Sequence, residues 1–71
     1  MMKLTPELLR HEYLHWINEN GVGRNRLDQR FGQYLINNFV IGEYRTNIVV
    51  FYQERADRVY DMVLEELRAE R

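Results

Sequence analysis

The sequence contains no cysteine and no serine, and it has only one proline. Without cysteine the chain can form neither disulfides nor thiolate metal sites. The usual catalytic nucleophiles are missing as well. No run of about 18 apolar residues is present, which argues against a membrane-spanning helix, and the charges near the N-terminus do not fit an export signal. We therefore expect a cytoplasmic protein.

The composition indicates one small domain over residues 1–71. Hydrophobic residues make up 45% of the chain and aromatic residues 13%, which is enough for a folded core. A chain of this size buries only about 60% of its unfolded surface, so its stability depends on good packing or on self-association. The net charge of −1 provides no general attraction to nucleic acid or to anionic lipid.

A first helix is predicted over residues 5–20. Thr5 is a suitable N-cap, and Pro6 suits the first helical position. Asn20 and Gly21 provide the stop signal. The apolar residues of this segment form one stripe at helical spacing, namely Leu9, Tyr13, Trp16 and Ile17. We expect the stripe to pack against a second helix that follows the short connection.

The second helix is predicted over residues 24–39, and the rest of the fold is expected to pack on it. Its buried stripe is Leu27, Phe31, Tyr34 and Leu35. Gly32 lies inside this helix at a cost of about 1 kcal/mol relative to alanine. We therefore expect another backbone or a bulky ring to pass close to Gly32.

Residues 40–53 admit two interpretations. The run Ile48–Tyr52 is β-branched and aromatic, which favours a strand paired as a hairpin with Val40–Tyr44. Alternatively, a helix starts early, near Thr46 or Asn47. A last helix is predicted over residues 54–70, with the stripe Ala56, Val59, Tyr60, Val63, Leu64 and Leu67. The predicted fold is mainly α: an αα-hairpin plus a C-terminal helix, with a short β-hairpin or extended segment before the last helix.

The tetrapeptide Arg30–Gln33 (R-F-G-Q), then Asn37, and the later pair Phe51-Tyr52 carry a resemblance to a known group. The pattern resembles small uncharacterised proteins of phage and prophage genomes. The resemblance covers about residues 27–67 through roughly seven positions. It implies an accessory protein in the host cytoplasm that binds a host or phage protein, and it implies no mechanism, since that group has no established activity.

The first helix carries the pattern H-E-x-x-H at residues 11–15. On a helix His11 and His15 could grip one Zn²⁺, with Glu12 as general base of a zinc hydrolase. Catalytic zinc needs a third protein ligand, and the positions where a longer zinc motif has glycine and histidine hold Asn18 and Gly21. Both histidines also lie opposite the apolar stripe. We therefore predict a non-enzymatic chain without a metal or cofactor, and keep the hydrolase as an alternative.

The arrangement of a helix, a glycine-containing turn and an arginine-rich helix also fits a helix-turn-helix DNA-binding protein. The contacts to nucleic acid would then come from Arg24, Asn25, Arg26, Gln29 and Arg30. The net negative charge and the single lysine argue against this alternative.

The interpretation that we favour is a small protein-interaction module. Some apolar residues do not all fit the three stripes, and they are candidates for an interface: Ile36, Ile41, Tyr44, Phe51 and Tyr52. The same residues could instead seal the ends of a small bundle. Self-association as a homodimer through this surface is a further alternative.

Overall fold

The computed structural model describes residues 1–41 and 44–69, and for residues 44–47 it describes the backbone alone. Within these residues the elements are, in order, β1 (Met2–Lys3), α1 (Pro6–Asn20), α2 (Phe31–Asn38), β2 (Phe39–Val40), α3 (Tyr44–Tyr52) and α4 (Ala56–Ala69). The prediction of a small, mainly helical domain is confirmed. None of the helices described here is both long and apolar enough to cross a membrane.

Helix α1 begins and ends as the sequence predicts. The Thr5 hydroxyl oxygen accepts a hydrogen bond from the Leu8 N–H at 3.1 Å and so caps the helix. Leu4, just before the cap, and Leu9 are both buried, as expected for a hydrophobic staple. At the other end Gly21 has φ of 66°, and its N–H donates to the Ile17 carbonyl at 2.9 Å.

The start of α2 differs from the prediction. Residues 24–30 form a loop, and the helix begins only at Phe31. The Gln33 side chain marks this start, because its oxygen accepts the Arg30 N–H at 2.8 Å. The predicted burial of Leu27 is also wrong, since 73% of this residue is exposed. Phe31 and Leu35 are buried as predicted.

The close approach predicted at Gly32 is confirmed. A Cβ atom on Gly32 would collide with the carbonyl oxygen of Val50 and would lie 2.8 Å from its carbonyl carbon. The neighbour is therefore the backbone of α3. This contact explains why glycine occupies the first turn of α2 in spite of its low helix propensity.

The predicted hairpin between Val40–Tyr44 and Ile48–Tyr52 is wrong, and so is an extended segment over residues 44–52. Residues Ile48–Tyr52 lie in the helix α3, because burial of Val50 against α2 outweighs the strand preference of β-branched residues. Helix α3 starts at Tyr44, whereas the alternative prediction placed a helix start near Thr46 or Asn47. It ends at Tyr52, before α4 begins. Strand β2 instead pairs with β1 in parallel, with Met2 opposite Phe39.

The core lies between α1, α2, α3 and α4, with Val50 as the fully buried residue from α3. The α4 stripe is buried as predicted at Ala56, Val59, Val63 and Leu67. Aromatic rings join the helices: Tyr13 stacks on Tyr60 with ring centroids 4.5 Å apart, and the Trp16 ring lies 5.2 Å from that of Phe31. The last helix was predicted to reach residue 70, which lies outside the described residues.

Candidate interaction surfaces

The segment of residues 24–30, which we call the Leu27 loop, is closed by its own side chains. The Asn25 side-chain oxygen accepts hydrogen bonds from the backbone N–H groups of Leu27 and Gln29, at 3.0 and 2.9 Å. The Asn25 amide donates to the Gln29 side-chain oxygen at 3.0 Å. Asp28 adopts a left-handed conformation, with φ of 62°, which aspartate tolerates better than most residues. These bonds replace the helix that the apolar spacing predicts.

The Leu27 loop is also tied to the connection between α3 and α4. The Glu54 carboxylate accepts hydrogen bonds from Arg30 at 2.8 Å and from Arg24 at 3.2 Å. Arg24 additionally pairs with Asp28 at 3.2 Å. The hydrogen bond from Arg30, followed by that from Arg24, lowers the pKa of Glu54 below its ordinary value. Two arginines and two carboxylates therefore hold both ends of the loop.

Two further hydrogen bonds hold the residues just before the Leu27 loop. The Trp16 indole N–H donates to the Gly23 carbonyl at 3.0 Å. The Ala56 N–H donates to the Val22 carbonyl at 2.9 Å, at the start of α4. The base of the loop is thus attached to both α1 and α4.

Leu27 projects at the tip of this loop beside an open groove of about 440 Å³. The α1 side of the groove includes Glu12, His15 and Glu19, and the loop side includes Arg26 and Leu27. The Tyr34 hydroxyl, which also lines the groove, donates to the Glu12 carboxylate at 2.7 Å. Burial of the Tyr34 phenol and this hydrogen bond raise the pKa of Tyr34 to about 12, so the phenol keeps its proton at neutral pH.

Within the described part of the chain, the residues of the H-E-x-x-H pattern are not joined by the third ligand that a zinc site needs. His11 and His15 are exposed on α1, as their position opposite the apolar stripe predicts. Glu12, the proposed base, accepts the hydrogen bond from Tyr34. Within residues 1–41 and 44–69, no three histidine, aspartate or glutamate side chains come together in an arrangement that could hold a metal ion. The third ligand that a catalytic zinc needs is therefore missing there.

The residues of the nucleic-acid alternative are gathered in the Leu27 loop, but not on a helix. The recognition helix predicted there is absent, because the Asn25 side chain takes up the backbone donors. Arg24 and Arg30 are paired with Glu54, and Asn25 and Gln29 bind each other. Arg26 is exposed and makes no ion pair within the described part of the chain.

The five predicted interface residues do not share one surface. Ile41 is 2% exposed and belongs to the core, which corrects its assignment to an interface. Ile36 and Phe51 are half-buried, whereas Tyr52 is 65% exposed. The side chain of Tyr44 lies outside the described residues.

Sequence reasoning missed two of the residues that accompany Tyr52. Ile48 and Val49 are 50% and 58% exposed on the same helix. We call Ile48, Val49 and Tyr52 the α3 outer face. Helical spacing unites these residues once the segment is read as a helix, since Tyr52 is four positions from Ile48. The Arg30 guanidinium lies over the Tyr52 ring, 5.8 Å from its centroid.

Sequence reasoning also missed the exposure of Leu27. The available signal was Asn25 followed three positions later by Asp28, since both residue types favour turns and tolerate a left-handed backbone. The stabilising partner, Glu54, is 24 to 30 positions away, and no local pattern indicates it. No protein-family description, curated protein or solved structure matches the chain.

Proposed function

We propose that this protein is a non-enzymatic protein-interaction module that binds its partner through the Leu27 loop. The observation that carries the proposal is the 73% exposure of Leu27 on a loop closed by internal hydrogen bonds. A single exposed leucine on a mobile segment would carry little meaning. A leucine on a preorganised loop enters a complex at a lower cost in conformational entropy, which favours binding.

The neighbouring charges suggest the chemistry of the partner. Arg24 and Arg30 are already balanced by the carboxylates of Glu54 and Asp28, which leaves Arg26 as the cation beside Leu27. The complementary surface is an apolar pocket with a carboxylate at its edge. The resemblance to phage proteins is the reason to search among host and phage proteins of the bacterial cytoplasm.

Nucleic-acid binding is the less favoured alternative. A loop that places an apolar side chain at its tip fits a protein pocket better than a phosphate backbone, which is bound by cations and hydrogen-bond donors. Zinc hydrolysis is less favoured still, and a thermal shift assay tests it. We expect the melting temperature to be the same with added Zn²⁺ and with a chelator, whereas a specific site would raise it with Zn²⁺.

A comparison of three baits tests the Leu27 loop. The wild type, Leu27→Asp and Leu14→Asp are immobilised and exposed to nuclease-treated bacterial lysate. Leu14 is the matched control, because it is another exposed leucine, at 54%, and lies on α1. We expect a discrete protein that the wild type and Leu14→Asp retain and that Leu27→Asp loses by at least about tenfold.

Two results would contradict the proposal. The first is retention of the same protein by all three baits, since the contact would then not involve Leu27. The second is material that disappears on nuclease treatment, which would restore the nucleic-acid alternative. Circular dichroism of each bait establishes that the variants are folded.

A further inference from the structure

Asn20 is the last residue of α1, and Gly21 follows it. Asparagine loses its side-chain amide when the backbone nitrogen of the next residue attacks the amide carbon. Glycine hinders this attack less than any other residue, because it has no side chain. Each of the other asparagines is followed by a residue with a side chain; these are Asn18, Asn25, Asn37, Asn38 and Asn47. The chemistry of the sequence therefore singles out Asn20.

The surroundings of Asn20 leave its side chain accessible. Asn20 lines the open groove beside the Leu27 loop, and Gly21 is exposed, so water and hydroxide reach both residues. The Asn25 side chain, by contrast, is held at its amide nitrogen and at its oxygen. Within the described part of the chain, no hydrogen bond holds the Asn20 side chain in this way.

The attacking atom, the Gly21 nitrogen, is held in the last turn of α1. Its N–H donates to the Ile17 carbonyl at 2.9 Å, and the nitrogen must lose this proton before it can attack. Hydrogen exchange catalysed by hydroxide begins with loss of the same proton, and at a bonded amide it requires local opening. Deamidation and hydrogen exchange at Gly21 therefore depend on the same opening of the helix end.

We propose that Asn20–Gly21 is a site of spontaneous deamidation in the folded protein, reached through opening of the last turn of α1. The Gly21 nitrogen gives its proton to hydroxide and forms a bond to the Asn20 Cγ. The bond from Cγ to Nδ2 breaks, and the nitrogen leaves as ammonia with a proton from water. Water then opens the cyclic imide at either carbonyl, which yields aspartate or isoaspartate. No oxidant or reductant takes part.

Isoaspartate would alter the base of the Leu27 loop, because it adds a methylene group to the main chain just before Gly21. The next residues are held by two hydrogen bonds across the fold, from Ala56 to the Val22 carbonyl at 2.9 Å and from Trp16 to the Gly23 carbonyl at 3.0 Å. A longer main chain displaces these carbonyls. We therefore expect a second indole N–H signal of Trp16 in ¹H–¹⁵N spectra, which grows as the product accumulates.

Ageing of the full chain at mildly alkaline pH tests the proposal, both folded in buffer and unfolded in guanidinium chloride. Pepsin digestion at acidic pH stops the reaction, and mass spectrometry then measures conversion at each asparagine. An isoaspartate methyltransferase identifies the isoaspartate product. Asn18 and Asn25 are internal controls, and in the folded chain we expect Asn20 to convert at least about tenfold faster than either. Asn20→Gln is expected to remove the product, since glutamine would have to form a larger ring.

Hydrogen exchange of the Gly21 amide on fresh protein tests the role of the helix end. We expect the ratio of the unfolded to the folded deamidation rate to match the protection factor of this amide within about threefold. Trp16→Phe removes the donor to the Gly23 carbonyl and keeps an aromatic ring, so it is expected to raise the exchange rate and the deamidation rate by the same factor.

Three results would overturn the proposal. The first is conversion of Asn20 in the folded chain that is no faster than that of Asn18. The second is a deamidation rate that departs from the Gly21 protection factor in either direction. The third is a Trp16→Phe chain in which the two rates change by different factors. The inference does not rest on the function proposed for the Leu27 loop, and Leu27→Asp is expected to deamidate as the wild type does.

Discussion

At the scale of single residues, Gly32 controls how closely α3 approaches α2. The Val50 carbonyl occupies the position that a side chain on Gly32 would need. Because the obstacle is backbone, the contact cannot be relieved by rotation of a side chain. Alanine at this position would have to push two helices apart.

Gly32→Ala is therefore expected to destabilise the protein, although alanine is the better helix former by about 1 kcal/mol. Overpacking of a closed contact costs about 1–3 kcal/mol or more, and we expect a net loss of about 2 kcal/mol in the free energy of unfolding by urea. Gly23→Ala is the control, because a Cβ there meets nothing within 4 Å. Equal stability of the two variants would show that α2 and α3 are not in the described contact.

Glu54 is the residue through which pH acts on the Leu27 loop. Its folded-state pKa is lowered from 4.5 by the hydrogen bonds from Arg30 and Arg24. A lowered carboxylate pKa stabilises the fold above the unfolded-state pKa, and this stabilisation is lost as the pH falls through the folded-state pKa. Because Glu54 is exposed, the effect is moderate and is screened by salt.

Glu54→Gln is expected to be less stable than the wild type at neutral pH and equally stable once the pH is below the lowered pKa. Urea unfolding midpoints of both proteins across this range measure the difference. Glu19→Gln serves as control, since Glu19 is exposed and forms no ion pair within the described residues. A difference between wild type and Glu54→Gln that does not change with pH would contradict the role assigned to the ion pairs.

At the scale of secondary-structure elements, local signals predicted α1, α4 and the 31–38 part of the second helix, but failed for the Leu27 loop and for α3. The cap at Thr5, the stop at Gly21 and the apolar stripes are all encoded within a few residues. Prediction of helix α3 would have required knowledge of its burial on α2, because that burial outweighs the strand preference of Ile48 and Val49. Prediction of the Leu27 loop would have required knowledge of its contacts with Glu54, which is distant in sequence. The candidate surfaces lie in these two segments, so the sequence alone located Tyr52 but neither Leu27 nor the full α3 outer face.

Asn25→Ala is expected to loosen the Leu27 loop while the helices persist. The change removes the oxygen that accepts two backbone N–H groups, each worth about 1 kcal/mol. The amides of Leu27 and Gln29 should then exchange with solvent at least about tenfold faster, as measured by NMR hydrogen exchange. Asn18→Ala, at an exposed position of α1, is the control. Unchanged exchange at both amides would show that Asn25 does not hold the loop.

At the scale of the whole molecule, the first and last helices form the main packing contact. Among the described elements, α1 and α4 touch more extensively than any other pair. The buried stripe of α1 is thus covered by the segment that is farthest from it along the chain. A contact of this kind forms only when the whole chain is available, which makes folding cooperative.

A chain truncated after Tyr52 is accordingly expected to lose cooperative thermal unfolding and much of its helical circular dichroism signal. It would leave Leu9 and Trp16, which are buried in the whole chain, without α4. Addition of a peptide of residues 53–71 is the control, because it should restore helicity if the missing contact is the cause. A truncated chain that unfolds cooperatively by itself would contradict this description.

The hydrogen bond of Trp16 has a spectroscopic consequence. This residue is the chain's single tryptophan, it is 4% exposed, and its indole binds the Gly23 carbonyl at the base of the Leu27 loop. The rings of Phe31 and Tyr34 lie 5.2 and 5.4 Å from it. The intrinsic fluorescence of Trp16 therefore reports on the junction of α1, the Leu27 loop and α2. A change in its emission on addition of a partner would indicate binding at the Leu27 loop, without any added dye.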